Sequence, residues 1–156
     1  MTETRDPEDL LAIHRAVAPR AFNETWEYLD ADELTREQEE AMLSSAFAQR
    51  YHWYEVGEPR NRAIADWQVS RVAAVLGYAD LAFRFGERSL ETCLEFGLDP
   101  FVTGFAHEAI ARAAAEVDDV ETFTEHLQSA RALLEEIEDD EEREVLAADL
   151  AEMSER

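Results

Sequence analysis

Helix-breaking residues recur about every 20 positions through the last two thirds of the chain. Between these breaks Gly and Pro are scarce, apolar residues recur at helical spacing, and no segment alternates in the manner of a strand. The pattern predicts stacked antiparallel pairs of helices, an architecture that builds extended binding surfaces. The breaks are Gly57-Glu58-Pro59, Gly77, Gly97-Leu98-Asp99-Pro100, Asp118-Asp119 and Asp139-Asp140.

Gly, Pro and capping residues set the predicted helix boundaries. The first helix is expected to begin after Asp6-Pro7, because a first helical turn tolerates proline. Pro19 is expected to kink or break it, and a second piece that holds Phe22, Trp26 and Leu29 follows. Thr35 and Gln38 form the Gln version of a capping box, and the helix that they open is expected to end near Val56. Five further helices are predicted at 59–76, 78–97, 100–116, 118–137 and 140–153.

The chain also matches itself when it is shifted by 41 residues. Gly77 then falls on Asp118, both at a predicted turn, and small residues recur where two helices must approach closely. A chance match between two amphipathic helices is the alternative explanation. Among the matched positions, Val69, Ser70 and Ala73 fall on Ile110, Ala111 and Ala114.

These repeated positions resemble the tetratricopeptide-repeat (TPR) family over roughly residues 35–137. The repeat is longer than the standard length of about 34 residues, and Ala stands where that family usually carries an aromatic residue. The resemblance implies one all-α domain over residues 1–156. Its expected form is a TPR-like right-handed superhelix of about three hairpins and seven helices, with 140–153 as a polar capping helix.

A second resemblance is to an uncharacterised microbial family of short TPR-like proteins. It implies the same fold and no particular activity. The residues that carry it are Ala21-Phe22-Asn23-x-x-Trp26, Ala48-Gln49-Arg50-Tyr51-His52-Trp53, Val56-Gly57-x-Pro59, Asn61-x-Ala63, and Trp67-Gln68-x-Ser70-Arg71-Val72-x-Ala74-x-Leu76-Gly77.

The charge balance restricts the partners that this chain can bind. There are 37 acidic residues against 14 basic ones, every base is arginine, and the net charge is −23. This balance argues against nucleic acid and anionic membranes, both of which require basic surface. An acidic, lysine-free surface is typical of halophilic proteins and of GC-rich genomes, and a functional acidic patch is the alternative. Without a signal peptide, a long apolar run or a second cysteine beside Cys93, a cytoplasmic location is expected.

No catalytic or metal-binding motif is complete. His107-Glu108 begins like a zinc-protease helix, but position 111 is Ala where a second His is required. The four histidines fall on four predicted helices, and Cys93 falls on an apolar stripe where we expect a buried thiol. No Gly-x-Ser-x-Gly elbow or phosphate-binding loop is present. The sequence therefore predicts a non-enzymatic protein with no cofactor and no metal.

Residues 50–76 are the one stretch that is both aromatic and not acidic. Arginine and large aromatic residues are the side chains that form binding hot spots. If the TPR register holds, Arg71 and Arg112 occupy equivalent points of a concave groove and can hold a carboxylate or phosphate group bidentately. The alternative is that Trp67 is core and the arginines pair with local acids. The candidate binding residues are Arg50, His52, Trp53, Asn61, Trp67, Arg71, Glu108 and Arg112, with Ile64 and Phe105 also placed on the groove.

Three functional hypotheses remain open at this level. The leading one is a scaffold that binds a peptide or protein segment in the groove, with an acidic or carboxylate-ended segment as the ligand. The second is a small-molecule or metal-binding helical domain, possibly an enzyme, that uses the region around His52 and Trp53. The third is a homodimer that has the aromatic segment as its interface.

The net charge of −23 leads to a first prediction about salt. Self-repulsion should destabilise the fold at low ionic strength, and added salt should screen that repulsion. The thermal midpoint, measured from low to molar salt, is therefore expected to rise. A midpoint that stays constant or falls would contradict this explanation.

Overall fold

The computed structural model describes residues 6–155, which form seven helices and no strand. The all-α prediction is confirmed, and most helix bounds agree with it within about two residues, the usual variation at helix ends. Within the described range, no helix is long and apolar enough to span a membrane. The helices are α1 Pro7–Leu29, α2 Arg36–Val56, α3 Pro59–Val75, α4 Ala79–Phe96, α5 Pro100–Glu116, α6 Val120–Leu134 and α7 Asp140–Ser154.

The predicted division of the first helix at Pro19 is wrong, because α1 continues through this residue. Proline removes one backbone donor from a helix interior, which has a cost in stability. Tertiary contacts offset it: Ala18 and Thr25 are fully buried, and the Thr25 hydroxyl lies 2.8 Å from the Ser45 hydroxyl of α2. Packing of α1 against α2 therefore outweighs the local signal for a break.

Most local signals at the other helix ends behave as predicted. The exception is Gly57: the spacing predicts left-handed glycines at Gly57, Gly77 and Gly97, but Gly57 caps α2 in an extended conformation with a φ angle of −83°. The Thr35 hydroxyl accepts from the Gln38 backbone N–H, and the Gln38 side chain accepts from the Thr35 N–H, which completes the capping box. Gly77 and Gly97 adopt positive φ angles of 81° and 59°, a conformation that glycine reaches without a steric penalty. These left-handed residues reverse the chain after α3 and after α4.

The helices stack as antiparallel pairs joined by short turns. The Ser89 hydroxyl of α4 donates to the Ala63 carbonyl near the start of α3, at 2.8 Å. The Ser70 hydroxyl, later in α3, donates to the Ala82 carbonyl early in α4, at 2.7 Å. Small side chains thus let the two backbones approach closely and hold them in an antiparallel register. Each helix packs on the next along the chain, while α3 also contacts α5, and α5 contacts α7.

Burial in the stack also confirms the predicted position of Cys93. Its side chain is 2% exposed and packs with Ala63, Val102 and Ala106, on α3 and α5. Burial raises the pKa of this thiol to about 11, so almost none of it is thiolate at neutral pH. Cys93 is therefore a core residue in this fold.

Gly104 of α5 lies directly against Leu146 of α7 and gives a test of the stack. A Cβ atom at this position would lie 2.6 Å from Leu146 Cδ2, and the Leu146 side chain is fully buried. Overpacking costs about 1–3 kcal/mol, against a gain of about 1 kcal/mol in helix propensity. We expect Gly104→Ala to lower the free energy of unfolding by up to about 2 kcal/mol in denaturant titrations.

The matched comparison is Leu146→Ala, alone and combined with Gly104→Ala. Because the new methyl group would enter the space that Leu146 leaves, the double variant should lose less stability than the two single changes added together. Additive losses in the double variant would show that α7 does not pack as described.

Candidate functional site

A cavity of about 400 Å³ opens on the face formed by the first helix of each pair. Four helices supply its walls: α1, α3, α5 and α7. Apolar and aromatic side chains predominate, and the polar groups are confined to Asp30, Arg71 and Asp149. We call this cavity the concave pocket; its lining is Phe22, Trp26, Asp30, Ile64, Trp67, Arg71, Phe101, Val102, Phe105, Val145 and Asp149.

Aromatic rings in contact with one another form the wall of the concave pocket. The ring centroids of Trp26 and Trp67 are 5.7 Å apart, those of Trp67 and Phe105 5.3 Å, and those of Phe105 and Phe101 5.1 Å. These separations lie in the favourable range for aromatic pairs, so the rings hold each other in place. The wall is therefore preorganised and spans α1, α3 and α5.

A smaller recess of about 190 Å³ adjoins the concave pocket and shares Phe22 and Ile64 with it. Its other walls are Trp53 and Asn61, two of the predicted binding residues. The Asn61 side chain also accepts from the Glu58 N–H at 3.0 Å, so it closes the start of α3 as well. Together the two cavities form one groove, and all three tryptophans of the chain line it.

Beneath the concave pocket, a fully buried carboxylate ties two arginines and a tryptophan together. The Trp67 Nε1–H donates to Glu108 Oε2 at 3.2 Å, across α3 and α5. Arg112 donates to Glu108 Oε1 through Nε at 2.7 Å and again through Nη2. Arg71 Nη1 lies 3.7 Å from Glu108 Oε1 and 3.3 Å from Asp149 Oδ2 of α7. We call these five residues the buried ion network.

The buried ion network overturns the hypothesis of a basic, carboxylate-binding strip. Arg71 and Arg112 do lie close together, but both are paired with the protein's own acids. Arg112 is only 6% exposed, so its guanidinium is not offered to a ligand. The prediction failed because Glu108 lies one helical turn before Arg112, a spacing that favours pairing within the helix.

Asp149, one of the two acids that line the concave pocket, has an altered proton affinity. Burial raises the pKa of Asp149, and the nearby charge of Glu108 raises it further, while Arg71 and Arg112 act in the opposite direction. Asp30 is exposed and caps the C-terminal end of α1, where the helix dipole is negative. Two acids, Asp30 and Asp149, therefore lie on the lining of the concave pocket.

Arg50, another predicted binding residue, has a structural role. Its Nε donates to Asp66 Oδ1 at 2.6 Å, and its guanidinium lies 4.2 Å from the ring centre of Tyr54. The Tyr54 hydroxyl donates to the other oxygen of the fully buried Asp66. Burial and this bond to Asp66 raise the pKa of Tyr54 to about 12. The Arg50 side chain thus compensates a buried acid between α2 and α3.

His52 does not line the groove, because its ring pairs with His14 of α1. The two Nδ1 atoms are 2.7 Å apart and the ring centroids 4.9 Å apart. A second pair, His107 and His126, joins α5 to α6 with an Nδ1–Nδ1 distance of 2.9 Å and a centroid distance of 5.1 Å. In both pairs the distance between ring centroids exceeds the Nδ1–Nδ1 distance by about two ring radii. The two Nδ1 atoms therefore lie between the rings and point at each other.

This alignment is that of a hydrogen bond between two imidazoles, in which one ring donates and the other accepts. Two nitrogens that chelate one metal ion would instead converge on a third point. Within the described part of the chain, no group of three or more His, Cys, Asp or Glu side chains is arranged to hold a metal ion. We therefore assign the four histidines to links within the helix pairs.

Several groove residues were not predicted from the sequence. Phe101, Val145 and Asp149 belong to α5 and α7. Phe22 and Trp26 belong to α1, and Asp30 is the residue that caps its C-terminal end. Phe22 and Trp26 were available as signals, since large aromatics on the first helix need either a core or a binding surface. Asp149 lacked any signal, because its partner Arg71 is far away in the sequence and on another helix.

The fold and the groove together define a class: an all-α stack of helix pairs with an aromatic concave pocket. Comparison with known proteins adds no narrower assignment. No protein-family model, curated protein or solved structure matches the chain.

The histidine pair between α5 and α6 predicts a specific pH dependence. Burial, with the charge of His126 as a smaller cause, lowers the pKa of His107 from 6.5 to about 4 in the folded protein. The unfolded chain therefore binds a proton at His107 more readily than the folded protein does. The contribution of neutral His107 to the free energy of unfolding is complete above about pH 6.5 and is lost as pH falls towards 4. Because His107 is partly exposed, solvent screening reduces this effect, and the loss in the free energy of unfolding should be about 1–2 kcal/mol.

The measurement is the free energy of unfolding against pH for the parent and for His107→Gln. The difference between the two curves isolates His107 from the many acids that titrate in the same range. The free energy of unfolding of the parent minus that of His107→Gln should fall as pH falls from 6.5 to 4, because only the parent has this histidine to protonate. Parallel curves over that window would contradict the assignment.

Proposed function

We propose that this protein is a non-enzymatic scaffold that binds a peptide or protein segment in its concave groove. One observation carries the proposal: the concave pocket of about 400 Å³, with rigid aromatic walls supplied by several helices of the stack. Its volume lies within the range of ligand pockets, which is about 300–1,000 Å³. The ligand would place an apolar side chain in this pocket.

The adjoining recess supports a peptide over a single small molecule. It lies beside the concave pocket, shares Phe22 and Ile64 with it, and is bounded by Trp53. Two neighbouring apolar sites along one groove suit a segment that carries two anchoring side chains. Binding energy concentrates in such buried anchors, and the surrounding contacts mainly exclude water.

The polar groups near the pocket support binding over catalysis. Glu108, Arg71 and Arg112 direct their charged atoms at one another and at Asp149. A catalytic constellation would instead aim such groups at a shared point in the cavity where a reacting atom can sit. The network holds the floor of the pocket in place, which lowers the entropic cost of binding.

Val145 and Val117 provide a matched pair of variants for a direct test. Val145 lines the concave pocket and is 53% exposed, whereas Val117 is 50% exposed at the turn after α5, outside that pocket. A displayed library of random peptides of about twelve residues would be selected on the parent protein. We expect the selected peptides to bind Val145→Arg at least about tenfold more weakly and Val117→Arg unchanged.

Both substitutions add one positive charge at a half-exposed valine, so a difference between them reports on position. Thermal unfolding of each variant checks that the fold is retained. Enriched peptides that bind both variants equally, or no enrichment at all, would contradict the groove as a peptide site. Light scattering of the parent tests the homodimer alternative. If the parent self-associates and Val145→Arg abolishes this, the groove binds a second copy of this chain and not an external peptide.

A further inference from the structure

We infer that the segment bound in the groove is basic: an arginine or lysine that follows a large apolar anchor. This inference rests on the proposed function and names the chemistry of its partner. The sequence pattern favours an acidic ligand, and this inference gives the ligand the opposite charge. The reason is that Arg71 and Arg112 are paired with the protein's own acids and do not form a basic strip.

Acids outnumber bases around the concave pocket. Glu108, Asp149 and Asp30 stand against Arg71 and Arg112. Arg112 closes on Glu108 beneath the pocket and leaves Arg71 between two carboxylates, Glu108 at 3.7 Å and Asp149 at 3.3 Å. The Arg71 charge is therefore compensated before any ligand arrives, and the local balance is negative.

The position of Asp149 shows where a cation would bind. Its carboxylate accepts from Arg71 through Oδ2, and a carboxylate can accept further hydrogen bonds beside that one. Asp149 also lines the concave pocket. Asp30, which caps the C-terminal end of α1, lines the same cavity and adds a second acid. A guanidinium or ammonium group beside Asp149 would make charge-assisted hydrogen bonds with its carboxylate.

The aromatic walls favour the same ligand. Trp26 and Trp67 line the pocket together with the acids, and indole faces attract cations more strongly than other aromatic rings do. The long-range field acts in the same direction, because a protein with a net charge of −23 attracts basic segments and repels acidic ones. Local acceptors, ring faces and overall field thus agree on the sign of the partner's charge.

The test uses the peptides selected on the parent protein that bind Val145→Arg at least about tenfold more weakly. We expect these peptides to carry Arg or Lys within a few residues of a large apolar side chain, and replacement of that base by Glu to weaken binding at least about tenfold. Asp149→Asn should weaken the basic peptide by a similar factor. Glu144→Gln, which removes an exposed acid of the same helix, should have a much smaller effect.

Added salt should also weaken the basic peptide, because it screens the attraction. Groove-dependent peptides that lack a base, or that bind equally well with Glu in its place, would overturn the inference and leave the proposed function standing. An Asp149→Asn variant that folds normally and binds the basic peptide unchanged would overturn it as well. If no peptide depends on the groove, the proposed function falls, and this inference falls with it.

Discussion

The rest of this structure depends on the hydrogen bonds and ion pairs of the buried Glu108 carboxylate. It lies with no exposed surface on α5, receives the indole N–H of Trp67 on α3, and binds both Arg112 and Arg71. Through Arg71 it is linked to Asp149 on α7. A buried charge is tolerated only when its partners are complete, since removal of one partner from such a group usually costs about 3–5 kcal/mol. The network therefore fixes the relative positions of three helices that the turns alone do not join.

The same network gives the groove its character. It orients Trp67, which contacts Trp26 on one side and Phe105 on the other. It also occupies both arginines, so the surface that remains beside the aromatic walls is acidic. A rigid aromatic wall next to an acidic rim suits a segment that combines an apolar side chain with a base. The interaction that stabilises the stack thus also determines what the groove can bind.

Much of the fold could be predicted because its signals are local. Gly77, Gly97, Pro59 and Pro100 stop or start helices through their own backbone preferences, and the 41-residue repeat shows the pairing of the helices. The groove was less predictable. Trp67 follows from the repeat, but the pairing of Arg71 with Asp149 joins residues 78 positions apart. At Pro19 a strong local signal gave the wrong prediction, because packing of α1 on α2 keeps the helix continuous there.

The three tryptophans give the most direct measurement of the central claim, because Trp26, Trp53 and Trp67 all line the groove. Their indole N–H signals can be followed by NMR while a peptide selected on the parent protein is added. The structure predicts shifts at Trp26 and Trp53. The Trp67 N–H, which already donates to Glu108, should keep its hydrogen-bonded position. Saturable binding of the peptide that leaves the Trp26 and Trp53 signals unchanged would contradict the groove as the binding site.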